Sequence, residues 1–191
     1  MNKLISQNNL EDFYKKEVKT IGKQNILEQI ERKRNEGKIK KASNRTIFLS
    51  HSHLDKTIVS KIGLLFNKLD SELYVDWLDN SLPETPNKNT ANAIKIKIQE
   101  SKHFLFLATY HGLRSKWCNW ELGIADSIVK ENKLAILPIE TKSGNWRGNE
   151  YLNLYPEMKF EITDLDLLTT DKIKIHQLDG TSLSLMEWLS I

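Results

Sequence analysis

Residues 115–123 read Ser-Lys-Trp-Cys-Asn-Trp-Glu-Leu-Gly and begin a helical pattern just after a strand-like apolar run, residues 104–108. Ser115 suits the N-cap position, because its hydroxyl can accept a hydrogen bond from an amide of the first turn. Trp117 and Glu121 are four residues apart, which places an indole and a carboxylate on one face of the predicted helix. This spacing alone leaves two interpretations open: a functional site, or a core tryptophan beside an ordinary glutamate near a helix start.

Outward from this segment, short apolar runs alternate with helical patterns. The alternation predicts right-handed βαβ units and therefore an α/β fold with a parallel, doubly wound sheet. The predicted strands are residues 46–50, 73–75, 104–108 and 134–139, with a fifth at 172–176. The predicted helices are residues 56–69, a segment that starts near Asn89 or Thr90, the segment from Ser115, and a short terminal helix at 181–189.

In such a sheet, ligands bind beyond the carboxyl ends of the strands. Three loops are expected to meet there: residues 50–55, residues 76–88 and residues 108–121. The predicted topology therefore brings Glu121 to the same edge as the polar residues that follow the first two strands.

The first 43 residues differ in composition from the rest of the chain. They carry eleven Lys/Arg and six Asp/Glu, so their net charge is +5, whereas the remainder is −2. A helical apolar pattern within this basic segment predicts an N-terminal helical extension at 1–43, followed by one domain at 44–191. The extension is expected either to dock a partner or to pack on its own domain.

Composition restricts the class of protein. The chain has 191 residues, of which 39% are hydrophobic and 28% are charged, as expected of a globular domain. The sequence contains no apolar run near the ~20 residues of a membrane span, so no membrane partner is predicted. The single cysteine, Cys118, excludes an internal disulfide and favours a cytoplasmic location.

Several chemistries are disfavoured by the spacing of residues. No G-x-G-x-x-G and no P-loop is present, so a dinucleotide held as a redox cofactor is not expected. His51, His53 and Asp55 have no second cluster with metal-ligand spacing, and they lie too close together with Ser50 to form a hydrolase triad. The basic linker at residues 32–41 has no interleaved aromatic residues, so no nucleic-acid partner is predicted.

Glu121 has no obvious second acid near it in sequence. A single carboxylate suits a reaction whose leaving group departs without protonation, such as cleavage of an N-glycosidic bond to a pyridinium, because nicotinamide leaves neutral. A dinucleotide as substrate, rather than as cofactor, therefore stays open.

Three segments together resemble the Toll/interleukin-1 receptor (TIR) domain family. Residues 47–56, Ile-Phe-Leu-Ser-His-Ser-His-Leu-Asp-Lys, are similar to its first box, and residues 76–83, Asp-Trp-Leu-Asp-Asn-Ser-Leu-Pro, are similar to its second strand and the loop that follows. Residues 115–122 resemble the box S-(R/K)-W-C-x-x-E-L, which contains W-x-x-x-E as Trp117 and Glu121. The resemblance covers about residues 44–190. The loop at 82–87 lacks the usual Pro-Gly pair, and residues 51–53 replace an arginine found in some members.

The resemblance implies a flavodoxin-like fold of about five parallel strands with helices on both faces. It implies an NAD+ nucleosidase or cyclase that gives nicotinamide and ADP-ribose or a cyclic ADP-ribose-type product, with NAD+ as substrate and no cofactor. By the same resemblance Glu121 is catalytic, and the substrate contacts residues of the three loops. These are Trp117, Ser50, His51, Ser52, Trp77 and Asp79.

The chain is also similar to stand-alone bacterial members of the Thoeris type, which implies a role in anti-phage defence. Expected partners are further copies of the same chain and a downstream effector that senses the product. Two alternatives stay open: a non-catalytic TIR scaffold that acts by homotypic assembly, and an enzyme that acts on another nucleoside substrate.

Overall fold

The computed structural model describes residues 2–22, 24–26, 28, 46–74 and 87–191. Its strands are β1 (Ile5–Ser6), β2 (Thr46–Ser50), β3 (Glu72–Tyr74), β4 (His103–Ala108), β5 (Leu134–Glu140), β6 (Glu157–Phe160), β7 (Ile173–His176) and β8 (Ser182–Ser184). Its helices are α1 (Gln7–Ile21), α2 (Lys56–Lys68), α3 (Lys88–Glu100), α4 (Tyr110–Arg114), α5 (Lys116–Ile128) and α6 (Leu185–Trp188).

The strands form one sheet in the order β3-β2-β4-β5-β6-β7-β8, with β1 paired to β5. The five strands from β3 to β6 in this order are parallel, and β7 and β8 are antiparallel additions. The α/β class and the flavodoxin-like arrangement predicted from the sequence are therefore confirmed, and β1, which pairs in parallel with β5, adds a sixth parallel strand to these five.

Alternation along the central strands divides the core into two layers. Residues Leu105 and Leu107 of β4 belong to one apolar cluster, which α1, α2 and α6 cover, whereas Phe104 and Phe106 belong to a second, which α3 and α5 cover. Ser50 follows Phe48 by two residues on β2, so its side chain lies on the same face as α5.

Two predicted elements at the C-terminal end were only partly right. The fifth parallel strand is β6, not residues 172–176, which instead form the antiparallel strand β7. β6 pairs with β5 at a single position, Glu157 opposite Ile136. Because it has only four residues, its alternation is too short to be recognised in the sequence. The predicted helix at 181–189 begins as β8, and only Leu185–Trp188 is helical.

The first residues of the chain are part of the sheet and its core. Ile5 pairs with Ile139 on β5, and Lys3 exchanges backbone hydrogen bonds with Phe160 on β6. Leu10 and Phe13 of α1 are buried against the sheet. The described part of segment 1–43 thus packs on its own domain, while the predicted boundary at 43/44 falls outside the described residues.

Among the residues that the structure describes, no helix is both long and apolar enough to cross a membrane.

Candidate functional site at the carboxyl ends of β2 and β4

Glu121 lies in the second turn of α5, on the side of the helix that faces the sheet. The Ser115 hydroxyl caps this helix by accepting from the amide of Cys118 at 3.3 Å, as the sequence predicts. Cys118, Leu122 and Ala125 pack on the strands, and this packing carries Glu121 inward until only 4% of its surface is exposed. A carboxylate this deeply buried needs hydrogen-bond partners to remain charged.

Ser50 supplies one such partner. Its hydroxyl donates to Oε2 of Glu121 at 2.6 Å, a length typical of a charge-assisted O–H···O⁻ bond. Ser50 is the last residue of β2 and is itself only 1% exposed. The bond joins the first and third predicted loops and fixes the orientation of the carboxylate from the sheet side.

His51 and Ser52 follow Ser50 and are also buried. The Nδ1 atom of His51 lies 2.9 Å from the carbonyl oxygen of Leu49, which can only accept, so Nδ1 carries a proton. The hydroxyl of Ser52 accepts from the amide of Leu54 and caps the short turn His53–Asp55. The structure thus places both predicted residues beside Ser50 and gives Ser52 a role in shaping the loop.

Trp117 lies one helical turn before Glu121 at the surface, with 36% of the residue exposed. Its ring stands edge-on to that of Trp120, with centroids 5.1 Å apart. The predicted Trp117–Glu121 spacing therefore gives an exposed aromatic ring and a buried carboxylate on one helix. The other two predicted site residues, Trp77 and Asp79, lie outside the described residues.

Asp55 is a second buried carboxylate at this edge, and it is not among the site residues predicted from the sequence. It is 2% exposed, and its Oδ2 accepts a hydrogen bond of 2.5 Å from the hydroxyl of Thr109. Burial raises the pKa of Asp55, and the Thr109 bond and the nearby histidines, His111 foremost, oppose that shift. A pattern search along the chain could not pair these residues, because they are 54 positions apart.

The loop after β5 adds an aromatic side chain to the same sheet edge. The indole of Trp146 donates to the carbonyl oxygen of Ala108, the last residue of β4, at 2.8 Å. Gly148 lies against this indole, where an added Cβ would be 2.5 Å from the ring. Tyr151 donates to the side chain of Asn119 on α5, so the loop is fastened to the helix that carries Glu121.

These groups can support a particular kind of chemistry. The carboxylate of Glu121 accepts a hydrogen bond from the neutral hydroxyl of Ser50, which fixes its orientation without adding a charge of its own. A fixed carboxylate in a site partly shielded from water can stabilise a developing positive centre. The described residues contain no group of three or more His, Cys, Asp or Glu arranged to hold a metal ion.

Comparison with known proteins identifies a family for the part of the chain that contains the candidate site. Residues 47–169 match the family model described as TIR domain. A protein of Bacillus cereus (strain MSX-D12), named "Probable 3' cyclic ADP-D-ribose synthase ThsB'", is 34% identical over 170 residues, which are 86% of this chain and 83% of that protein.

A second relative, from Cytobacillus dafuensis, is named "Putative cyclic ADP-D-ribose synthase TIR2". It is 33% identical over 87 residues, which are 44% of this chain and 23% of that protein. The matched family region begins in β2 and contains α5, so it includes Ser50 and Glu121.

Proposed function

This chain belongs to the TIR domain family, and on that premise we propose that it cleaves the bond between nicotinamide and ribose in NAD+. One observation carries the proposal: the carboxylate of Glu121 is buried at the carboxyl edge of the sheet and oriented by the Ser50 hydroxyl. The names of the two relatives support the same substrate, since a cyclic ADP-D-ribose is formed from NAD+ by loss of nicotinamide.

Glu121 is the catalytic residue of the proposed reaction. As the C1′–N bond breaks, its electron pair moves to the pyridinium nitrogen, so nicotinamide leaves as a neutral molecule and no general acid is needed. The ribosyl carbon gains positive charge, which the nearby carboxylate stabilises more in the transition state than in the ground state. Ser50 keeps the carboxylate in the orientation that this interaction requires.

The cation must then be captured by a nucleophile. Capture by water gives ADP-ribose and releases a proton, whereas capture by a nucleophilic atom of the same molecule gives a cyclic isomer and also releases a proton. We propose the cyclic product, since both relatives carry names of cyclic ADP-D-ribose synthases.

The substrate is expected to lie over the loops that follow β2 and β4. Ser50, His51 and Ser52 are buried there beside the carboxylate, and Trp117 offers a half-exposed aromatic surface one turn away. Trp77 and Asp79 remain proposed contacts from the second loop. NAD+ is thus a substrate here, and the proposal includes no cofactor.

The biological setting is proposed from the same relationship. We propose that the protein acts in the bacterial cytoplasm in defence against phage, that it works as a self-assembled form, and that a downstream effector senses its product. The match with the ThsB' relative covers 83% of that protein, which supports a similar role for this chain.

Mass spectrometry of NAD+ incubated with concentrated protein tests the proposal. Wild type is expected to release nicotinamide, and Glu121→Gln is expected to fold but to lose at least ~100-fold in rate, since it keeps the volume and removes the charge. Glu131→Gln, which removes an exposed carboxylate from a turn outside the site, is the matched control and should retain the wild-type rate.

Full turnover by Glu121→Gln would overturn the catalytic assignment. NAD+ left intact by assembled wild type would overturn the enzymatic proposal and favour the scaffold. The product peak separates ADP-ribose from a cyclic isomer in the same experiment.

A further inference from the structure

The loops that carry Ser50 and Glu121 are joined by a second buried hydrogen bond. Thr109, the residue after β4, donates from its hydroxyl to Oδ2 of Asp55 at 2.5 Å. Both residues are 2% exposed, and Asp55 ends the turn that follows Ser50 and begins α2. The bond therefore joins the ends of two adjacent parallel strands, β2 and β4, in the interior of the protein.

Thr109 also fixes the first turn of α4. Its hydroxyl accepts from the amide of Gly112 at 2.9 Å while it donates to Asp55, so the rotamer is set from both sides. Gly112 packs so closely on β4 that an added Cβ would collide with the carbonyl oxygen of Leu107. The amide of Ser115, the N-cap of α5, donates to the carbonyl of Gly112 at 3.2 Å.

These contacts form a closed path around the candidate site. From Ser50 the chain runs to Asp55, the Thr109 hydroxyl crosses to the other loop, and α4 leads into α5 and Glu121. The hydrogen bond from Ser50 to Glu121 then closes the path. A path closed at two points restricts movement of the carboxylate, because a shift of α4 and α5 must break one of the two bonds.

Asp55 is suited to holding structure rather than to acting on substrate. Its carboxylate lies at the N-terminal end of α2, where the helix dipole favours a negative charge, and it already accepts from Thr109. Burial raises the pKa of Asp55, a shift that the Thr109 bond, His111, His51 and His53 oppose.

We propose that Asp55 and Thr109 are positioning residues that hold the loop between β4 and α5, and through it Glu121, in the geometry needed for cleavage of NAD+. The inference rests on the proposed function and adds two residues to it. A displacement of about 1 Å at a reacting group can lower a rate by ~100-fold even when substrate binding is kept. The loss is therefore expected in kcat, with little change in KM for NAD+.

Two pairs of variants test the hydrogen bond. Thr109→Val keeps the shape and removes the hydroxyl, whereas Thr109→Ser keeps the hydroxyl. Asp55→Ala removes the acceptor, whereas Asp55→Asn keeps an acceptor oxygen and removes the charge. We expect kcat for nicotinamide release to fall about tenfold to a hundredfold in Thr109→Val and Asp55→Ala, and to stay near wild type in the two conservative variants.

Ser184→Ala serves as the matched control for a lost helix cap. Ser184 caps α6 by accepting from the amide of Glu187, and its strand β8 lies at the far end of the sheet from β2. This variant should lose stability without losing kcat. If it lowers kcat as much as Thr109→Val does, the effect belongs to general stability and the proposal is overturned.

Amide hydrogen exchange gives a readout that does not depend on activity. Protection of the amides of residues 109–121 should be lower than in wild type in Thr109→Val and Asp55→Ala, and equal to wild type in Thr109→Ser and Asp55→Asn. Protection in α3 should be the same in all variants. Wild-type kcat together with unchanged exchange in Thr109→Val would overturn the proposal. If wild type leaves NAD+ intact, the proposed function and the catalytic role both fall, and the exchange data alone decide whether the bond holds the loop.

Discussion

The two faces of the sheet use the same strands but have different roles. The face under α1, α2 and α6 is filled with apolar side chains such as Phe13, Phe66 and Trp188. The face under α3 and α5 is also apolar in its centre, yet at its carboxyl edge it buries Ser50 and Glu121. The first face mainly stabilises the fold, and the second combines stability with a prepared polar site.

The difference between the two faces arises from single residues, because successive side chains of a strand point to opposite faces. On β2, Phe48 packs under α5 while Leu49 packs under the opposite layer, and Ser50 returns to the α5 face just where the strand ends. A polar residue at that point is buried by α5 without breaking the apolar layer below it. The polar site thus lowers the stability of the core little, because it lies at the edge of the core.

Phe13→Ala tests whether the face of the sheet under α1 contributes to stability but not to activity. Of the variants proposed here, it should have the largest effect on stability. Phe13 is 2% exposed, so truncation is expected to lower the free energy of unfolding by about 3–5 kcal/mol. The rate of nicotinamide release per folded molecule should not change. Chemical denaturation measures the first quantity and an active-fraction assay the second.

Leu167→Ala is the control for Phe13→Ala, since Leu167 is 70% exposed and should tolerate truncation. Equal stability of the two variants would show that α1 is not part of the core. A lower rate per folded Phe13→Ala molecule would show that the two faces are coupled.

His103 is a buried titratable group on the apolar face, and it makes the stability of that face depend on pH. It is fully buried against the ring of Trp188, with centroids 4.4 Å apart. Burial lowers the pKa of His103 from 6.5 to about 4, so the folded protein keeps it neutral while the unfolded chain takes up a proton below pH 6.5. The contribution of His103 to the free energy of unfolding should therefore be complete above pH 6.5, and it should decrease as the pH falls toward 4.

Up to about 3 kcal/mol of stability is expected to be lost through this group in that pH window. His103→Leu should remove this part of the acid dependence, which denaturant titrations at pH 7.5 and pH 5 would measure. Parallel losses in wild type and His103→Leu would contradict the assignment.

Ser50→Ala tests the polar edge and should have the smallest effect of the three on stability. Loss of a hydrogen bond to a charged group is worth about 1.5–3 kcal/mol, which corresponds to roughly 10–100-fold in kcat if it is felt in the transition state. Ser101→Ala, which removes a hydroxyl bonded to the carbonyl of Lys97 at the end of α3, is the control. Equal rates in Ser50→Ala and wild type would mean that the bond to Glu121 does not orient the catalytic group.

Local sequence patterns were sufficient for the central part of the fold. β2, β4 and β5 are apolar runs, and the helices between them repeat with helical spacing, so the parallel direction of these strands followed from βαβ geometry. The N-cap at Ser115 and the burial of Cys118, Leu122 and Ala125 also follow from local chemistry. Glu121 and Ser50 were predicted at one edge for the same reason, and the structure joins them directly.

Features that depend on contacts distant in sequence were not predictable in this way. The bond between Asp55 and Thr109 leaves no spacing pattern, and the attachment of Trp146 to Ala108 depends on how an irregular loop folds back. The strand β6 was missed because alternation over four residues is too short to distinguish from a loop. The antiparallel β7 was placed wrongly as the fifth parallel strand, since a pattern of apolar residues does not give strand direction.

The pairing of β1 has a consequence for synthesis on the ribosome. Residues 3–6 leave the exit tunnel early, but their partners, Ile139, Glu140 and Phe160, are made more than a hundred residues later. Until then the apolar side of α1 has no complete surface to cover, which is the situation in which holding chaperones bind nascent chains. The hydrogen bonds of β1 and Lys3 can therefore form only after β5 and β6 have been made.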